Sequence, residues 1–349
     1  MATLYERILQ ADVGIRLTPE SRDRAAGDDR AANGEAIPRR PEPLVLETPL
    51  ELSPSLSAAT GCQVLLKCEH LQPTGSFKVR GSANKIRVLD EAARRAGVIT
   101  ASTGNHGLGV ARAGALAGVS VTVYVGTGTM PQKIAAIRAL GGEVVTIDGP
   151  PIEAELEARR QGQLQGKTYI SPYNDLDVVA GQGTIGVELA RQAPQLDAVF
   201  VAVGGGGLIS GIGTALKQLS PGTRVVGVWP ENSPCMLEAL RAGAIVDTVE
   251  YPTLSDATAG AVEEGSVTFP ICAQVIDERI TVTEAEIAAA MRAVAQADRW
   301  IIEGAAGVAV AGLLKSAPAY RGRRVAAVIC GRNIALQKFL HAIHGEEPV

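Results

Sequence analysis

From Val64 onward the sequence alternates between two periods, and that alternation restricts the fold more than any other feature. Short β-branched runs at 64–68, 98–102, 119–125 and 143–148 are separated by stretches of helical spacing over 77–96, 105–118 and 131–141. Gly97 stops the first of these helices, and Pro131 opens the third at a position where its missing N–H costs nothing. A second block begins near residue 175 and reads as a helix over 180–192 and a strand over 197–203. Four glycines, a helix to about 219, strands at 224–229 and 324–330 and a last helix follow. Strands joined by helices require a parallel sheet with helices on its faces. At 349 residues the chain is too long for one small core, and 46% apolar residues with only 3% aromatics suit helices packed closely on such sheets. Residues 18–43, with Pro19, Pro38, Pro41 and Pro43, read as an exposed arm or loop.

Two segments carry the chemistry. Lys78 stands one residue into a helix, flanked by Phe77 and, two residues on, Arg80, so its amine can be presented to a carbonyl. Gly204, Gly205, Gly206 and Gly207, followed by Leu208, lie between a β-rich run and an apolar helix, where backbone N–H groups form a phosphate cradle. A cofactor with an aldehyde at one end and a phosphate at the other needs both, which points to pyridoxal 5'-phosphate. A third segment, Ser102-Thr103-Gly104-Asn105-His106, sits where a strand gives way to a helix, and the helix N-terminus suits a carboxylate.

The glycine run also fits a dinucleotide-binding turn, with Glu231 as the ribose acid after the next strand. A dehydrogenase leaves both the Lys78 segment and the 102–106 segment unexplained. A net charge of −4 without a basic run argues against nucleic acid or an anionic membrane as partner. No apolar stretch reaches the roughly 18–20 residues of a membrane span, and the N-terminus lacks a secretory pattern. Five scattered cysteines read as free thiols in a reducing, cytoplasmic setting.

The segments 74–81, 102–107, 203–208, 303–307 and 330–333 occur in an order that resembles the serine/threonine dehydratases of the fold type II pyridoxal-phosphate enzymes, a family that includes serine racemase. The resemblance spans roughly residues 44–345. It implies a tryptophan synthase β-like α/β fold of two domains, each an open, mostly parallel twisted sheet flanked by helices. Residues 1–96 and 175–349 would form the large cofactor domain, and 97–174 the small domain that grips the substrate carboxylate. It implies that Lys78 holds the cofactor as an imine and acts as base at the substrate Cα. Phe77 packs near the ring, Asn105 donates to the ring oxygen, and Gly204, Gly205, Gly206, Gly207 and Leu208 hold the phosphate. Glu303 points at the site and Cys330 faces the ring nitrogen, where a thiol makes the ring a weaker electron sink than a carboxylate partner would. Ser102, Thr103, Gly104, Asn105 and His106 bind the substrate, His106 through its backbone.

The implied reaction is β-elimination from threonine, serine or a close analogue to a 2-oxo acid and ammonia, by a homodimer or homotetramer. Alternatives are a racemase, a 3-hydroxyaspartate dehydratase, and a ligand-binding protein without turnover. Thr103 stands where many dehydratases have alanine and serine racemase has its second base. Arg332 replaces a common glycine, and reads either as a contact for an extra anionic group or as a solvent-facing side chain. Trp229 and Cys235 occupy positions where the racemase has acidic ligands, so no metal is expected there. The end of the chain soon after its last helix reads as the lack of a regulatory domain.

Overall fold

The computed structural model describes residues 2–15, 43–102, 104–149 and 151–344. Nearly all of the arm expected over 18–43, and Thr103, lie outside the described residues. The strands are β1 (Leu50–Leu52), β2 (Gln63–Lys67), β3 (Val98–Ala101), β4 (Val121–Gly126), β5 (Glu143–Ile147), β6 (Thr168–Tyr169), β7 (Ala198–Ala202), β8 (Arg224–Pro230), β9 (Glu278–Val282) and β10 (Arg324–Val328). They form a six-stranded sheet in the order β1-β2-β10-β7-β8-β9 and a four-stranded sheet in the order β5-β4-β3-β6. Every pairing is parallel except that of β1 with β2. Strand β7, buried along its whole length between β10 and β8, is continuous apolar sequence, as a strand covered on both faces must be.

The single helix expected over 77–96 is two, Lys78–Val88 and Glu91–Ala96. Leu89 is extended, and Asp90 caps the second helix by accepting the Ala93 N–H at 2.8 Å, so the chain turns before resuming helical geometry. The helix expected from 180 starts earlier, at Leu176, because Asp175 caps it through the N–H groups of Asp177 and Val178. Strand β9 and the helices Pro151–Gln165, Thr268–Val275 and Glu284–Ala297 were not expected.

The helix Lys78–Val88 packs against two others, Asn105–Ala117 and Leu176–Gln192. Gly109 makes the first contact possible, since a Cβ there would stand 3.1 Å from the backbone of Lys78 and Val79. The same helix reaches a buried ion network. Arg80 Nε and Nη2 donate to the Glu69 carboxylate at 2.7 Å, and its Nη1 donates to Glu188 Oε1 at 2.7 Å. Lys67 Nζ donates to Glu188 Oε2 at 2.5 Å and to the Thr48 carbonyl at 2.7 Å. All four charged side chains are shielded from solvent. Burial alone would lower the Arg80 pKa, but Glu69 and Glu188 outweigh it and hold the guanidinium above its ordinary value. Replacing Arg80 with Met leaves Glu69 only the hydrogen bonds from Thr48 and Gln72 and deprives Glu188 of its second cation. The variant is expected to lose about 3–5 kcal/mol in urea unfolding, and a loss under about 1 kcal/mol would contradict a structural role for the network.

Candidate active site

The carboxyl ends of the parallel strands in both sheets open on one cavity of about 530 Å³. Ala101 and Ser102 reach it from β3, Tyr124 to Gly126 from β4, and Ala202 and the glycine run from β7. Cys330, just past β10, closes its floor together with Glu303. In open parallel sheets this is the end where ligands bind.

Lys78 is half-buried at the first position of its helix, and its Nζ donates to the Pro172 carbonyl at 2.9 Å. The amine also stands 5.2 Å from the Phe77 ring centroid. Burial depresses its pKa to about 8, against a smaller upward pull from Cys330 and Glu303. Burial raises the Glu303 carboxyl to about 7, although hydrogen bonds from Asn105 oppose the shift. Burial likewise drives the Cys330 thiol well above its usual range, with Glu303 adding to it, so the sulfur stays protonated.

Asn105 opens the helix Asn105–Ala117 and donates through Nδ2 to both oxygens of Glu303, at 2.9 and 3.0 Å. Asn333 donates to Asn105 Oδ1 at 2.6 Å and to the Thr74 carbonyl at 2.8 Å, and its N–H donates to Glu303 Oε2 at 3.2 Å. These contacts join the start of a small-sheet helix to the loop after β10. Among the described residues no side chain caps that helix, and the Gly104 N–H donates to Ser102 Oγ at 3.2 Å.

The glycine run presses against neighbours that leave no room for side chains. A Cβ on Gly205 would stand 2.5 Å from the Tyr173 ring, and one on Gly204 would stand 2.8 Å from the Thr258 backbone. Gly206, at φ +82°, is the residue before the helix Gly207–Leu219. Among the described residues, the N–H groups of Gly204, Gly205 and Gly206 donate to no protein acceptor.

Of the residues singled out by sequence, Phe77, Lys78, Ser102, Asn105, the four glycines, Leu208, Glu303 and Cys330 all line the cavity. Gly104 and His106 do not. His106 is buried with Nε2 3.0 Å from the Ile170 carbonyl, and burial with the nearby Lys78 lowers its pKa to about 3. Arg332 is exposed and outside the lining, its N–H donating to the Gly75 carbonyl at 2.9 Å. Thr103 lies outside the described residues. Trp229 and Cys235 are both buried in the core of the larger sheet. Sequence reasoning missed Pro172, Tyr173 and the pair Glu155 and Glu263, which belong to loops and a helix without a motif, and it gave Asn333, the last residue of the 330–333 segment, no role of its own. Glu155 and Glu263 line the cavity, and each is paired with Arg159 at 2.8 Å.

Lys78 binds its proton less tightly folded, near 8, than at its ordinary 10.5. Between those values the unfolded chain holds more protons, so this group makes stability rise with pH across the window. Below pH 8 the folded protein carries the full cost of a buried ammonium. Lys78→Met is therefore expected to stabilise the cofactor-free protein by on the order of 2 kcal/mol at pH 7. Urea unfolding at pH 7 and pH 10 checks it: the gain over the parent must shrink at the higher pH, and an equal gain would contradict the assignment.

Comparison with known proteins agrees with this geometry. A family model described as "Pyridoxal-phosphate dependent enzyme" matches residues 42–331. The L-threonine ammonia-lyase of Thermotoga maritima is 40% identical over 291 residues, 83% of this chain and 72% of that one. The L-threo-3-hydroxyaspartate ammonia-lyase of a Pseudomonas species is 37% identical over 298 residues, 85% of this chain and 93% of that one. The structure of the processed form of threonine deaminase isoform 2 from Solanum lycopersicum superposes with a TM-score of 0.83 at 37% identity, covering 86% of this chain and 88% of that one.

Proposed function

Because the chain belongs to the family of pyridoxal-phosphate dependent enzymes, we propose that it is an ammonia-lyase. Its substrate would be a β-hydroxy amino acid, threonine or serine before others, converted to a 2-oxo acid and ammonia. The observation that carries the reading is the shared cavity: an amine of lowered pKa, a glycine cradle and a helix N-terminus open on the same space.

The residues present fit pyridoxal 5'-phosphate. Gly204, Gly205 and Gly206 hold N–H groups unpaired among the described residues where a phosphate needs donors, and Lys78 supplies the amine that an aldehyde needs. When bound, the cofactor captures amines through its aldehyde and draws electrons from the substrate Cα into its ring. Lys78 is the residue proposed to hold it, and then to take the Cα proton. Its pKa near 8 leaves a substantial neutral fraction at physiological pH, which an ordinary lysine lacks.

Ser102 and the free first turn of the Asn105–Ala117 helix are proposed to bind the α-carboxylate, with the helix dipole adding to the attraction. Cys330 stays an uncharged thiol and offers no negative charge to hold a proton on a facing ring nitrogen. That favours prompt loss of a β-substituent over a long-lived carbanion. The part assigned to Thr103, acid or base from the opposite face, rests on the sequence resemblance. Residues 97–174, which contain the four-stranded sheet, are proposed as the small carboxylate-gripping domain.

Lys78 is the only cation lining the cavity among the described residues, and Arg159, outside the lining, is already paired with Glu155 and Glu263. This balance supports threonine and serine over a substrate with a second carboxylate. Release of 2-oxo acid and ammonia is expected from threonine or serine at a kcat/KM at least about tenfold above that for 3-hydroxyaspartate. Arg332→Gly is expected to alter that ratio less than about twofold, given its place outside the cavity. The profile of kcat, which reports the substrate-bound state in which the Lys78 amine is free, is expected to rise with pH to about 8 and then level. A preference for the dicarboxylic substrate that Arg332→Gly removes would overturn the substrate assignment.

A further inference from the structure

The glycine run has an orientation problem that its own sequence does not solve. Peptide groups flanked by glycines turn over readily because no Cβ restrains them. A flipped peptide between Gly205 and Gly206 would point a carbonyl, not an N–H, at an incoming anion. We infer that Thr268 is the positioning residue that prevents this flip and thereby sets the affinity for the cofactor's phosphate. The inference rests on the proposed cofactor reading.

Thr268 is fully buried at the first position of the helix Thr268–Val275, behind the loop and outside the cavity lining. Its hydroxyl donates to the Gly205 carbonyl at 2.6 Å. Ser266 Oγ stands 2.8 Å from Thr268 Oγ1. Since the Thr268 proton is committed to Gly205, Ser266 is the donor in that pair, which fixes the threonine rotor. In a planar trans peptide the C=O and the following N–H point in opposite directions. A Gly205 carbonyl tied back to Thr268 therefore turns the Gly206 N–H away from that helix and toward the cavity that Gly205 and Gly206 line.

The next peptide is held in the same sense. The Gly206 carbonyl accepts the Ser210 N–H at 2.9 Å and faces Cys272 Sγ at 3.8 Å. That interaction belongs to the helix itself and persists whatever residue 268 is. The Gly205 carbonyl precedes the helix, and Thr268 is the side chain that secures it.

Thr268→Val keeps the shape and removes the hydroxyl. Titration of cofactor-free protein with pyridoxal 5'-phosphate, followed by visible absorbance, is expected to give a dissociation constant about tenfold above the parent's. Affinity for pyridoxal, which lacks the phosphate, is expected to match the parent's, and Thr268→Ser is expected to restore tight binding of the phosphorylated cofactor. Equal loss of both ligands would mean that residue 268 merely supports the fold, and unchanged binding of pyridoxal 5'-phosphate would equally overturn the inference. If Thr268→Val does not fold, Thr268→Ala set against Thr268→Ser makes the same comparison of hydroxyl present and absent. A parent that binds no pyridoxal 5'-phosphate sinks the proposed function as well, whereas a parent that binds while Thr268→Val binds equally sinks this inference alone.

Discussion

The arrangement of the site depends on the guanidinium of Arg80. Two residues apart on a helix means about 200° of rotation, so Lys78 and Arg80 face nearly opposite directions. Arg80 reaches inward to Glu69 and Glu188 while Lys78 reaches outward to the cavity. Lys67 at the end of β2 completes the network through Glu188, and thereby ties a strand, a turn and two helices to one point. Two cations and two anions balance, so no net charge is left in a dry interior. Replacement of such a network by apolar side chains is often neutral in energy. What the ions supply is direction, because each carboxylate fits one placement of the Lys78 helix and loses partners in any other.

The same economy of charge recurs at the cavity. The half-buried Lys78 and the buried Glu303 and Cys330 form a trio in which loss of solvent pushes every member toward its neutral form. An amine that is readily deprotonated and a thiol that remains a thiol are properties of the place, not of the residue types. Asn105 and Asn333 hold Glu303 from two sides, one from the small-sheet helix and the other from the loop after β10. The carboxylate is therefore also a joint between the two sheets. A Cβ at Gly331 would collide with it, which accounts for the glycine beside Cys330.

Much of this was legible in the sequence because it is local. The alternation of periods gave β2, β3, β4, β5, β7, β8 and β10, and the glycine, lysine and Ser102 segments each announced a backbone role through their own neighbours. The break at Leu89 was missed, since continuous helical spacing on both sides hid Asp90 as a cap. Strand β9 and the helices between 230 and 300 were missed because their signals are short and flanked by irregular chain. Tyr173, Thr268 and Asn333 act through contacts made from far along the chain: Tyr173 against Gly205, Thr268 on the Gly205 carbonyl, Asn333 on Asn105. No spacing rule predicts such meetings. Arg332 was read two ways, as an anion contact or as a solvent-facing side chain, and its exposure agrees with the second.

The central claim concerns which amine carries the cofactor. Borohydride reduction of the protein reconstituted with pyridoxal 5'-phosphate, followed by peptide mapping, tests it directly. The added mass is predicted on the peptide that contains Lys78 and on no other. Protein that takes up no cofactor, or a label on a different lysine, would contradict the account.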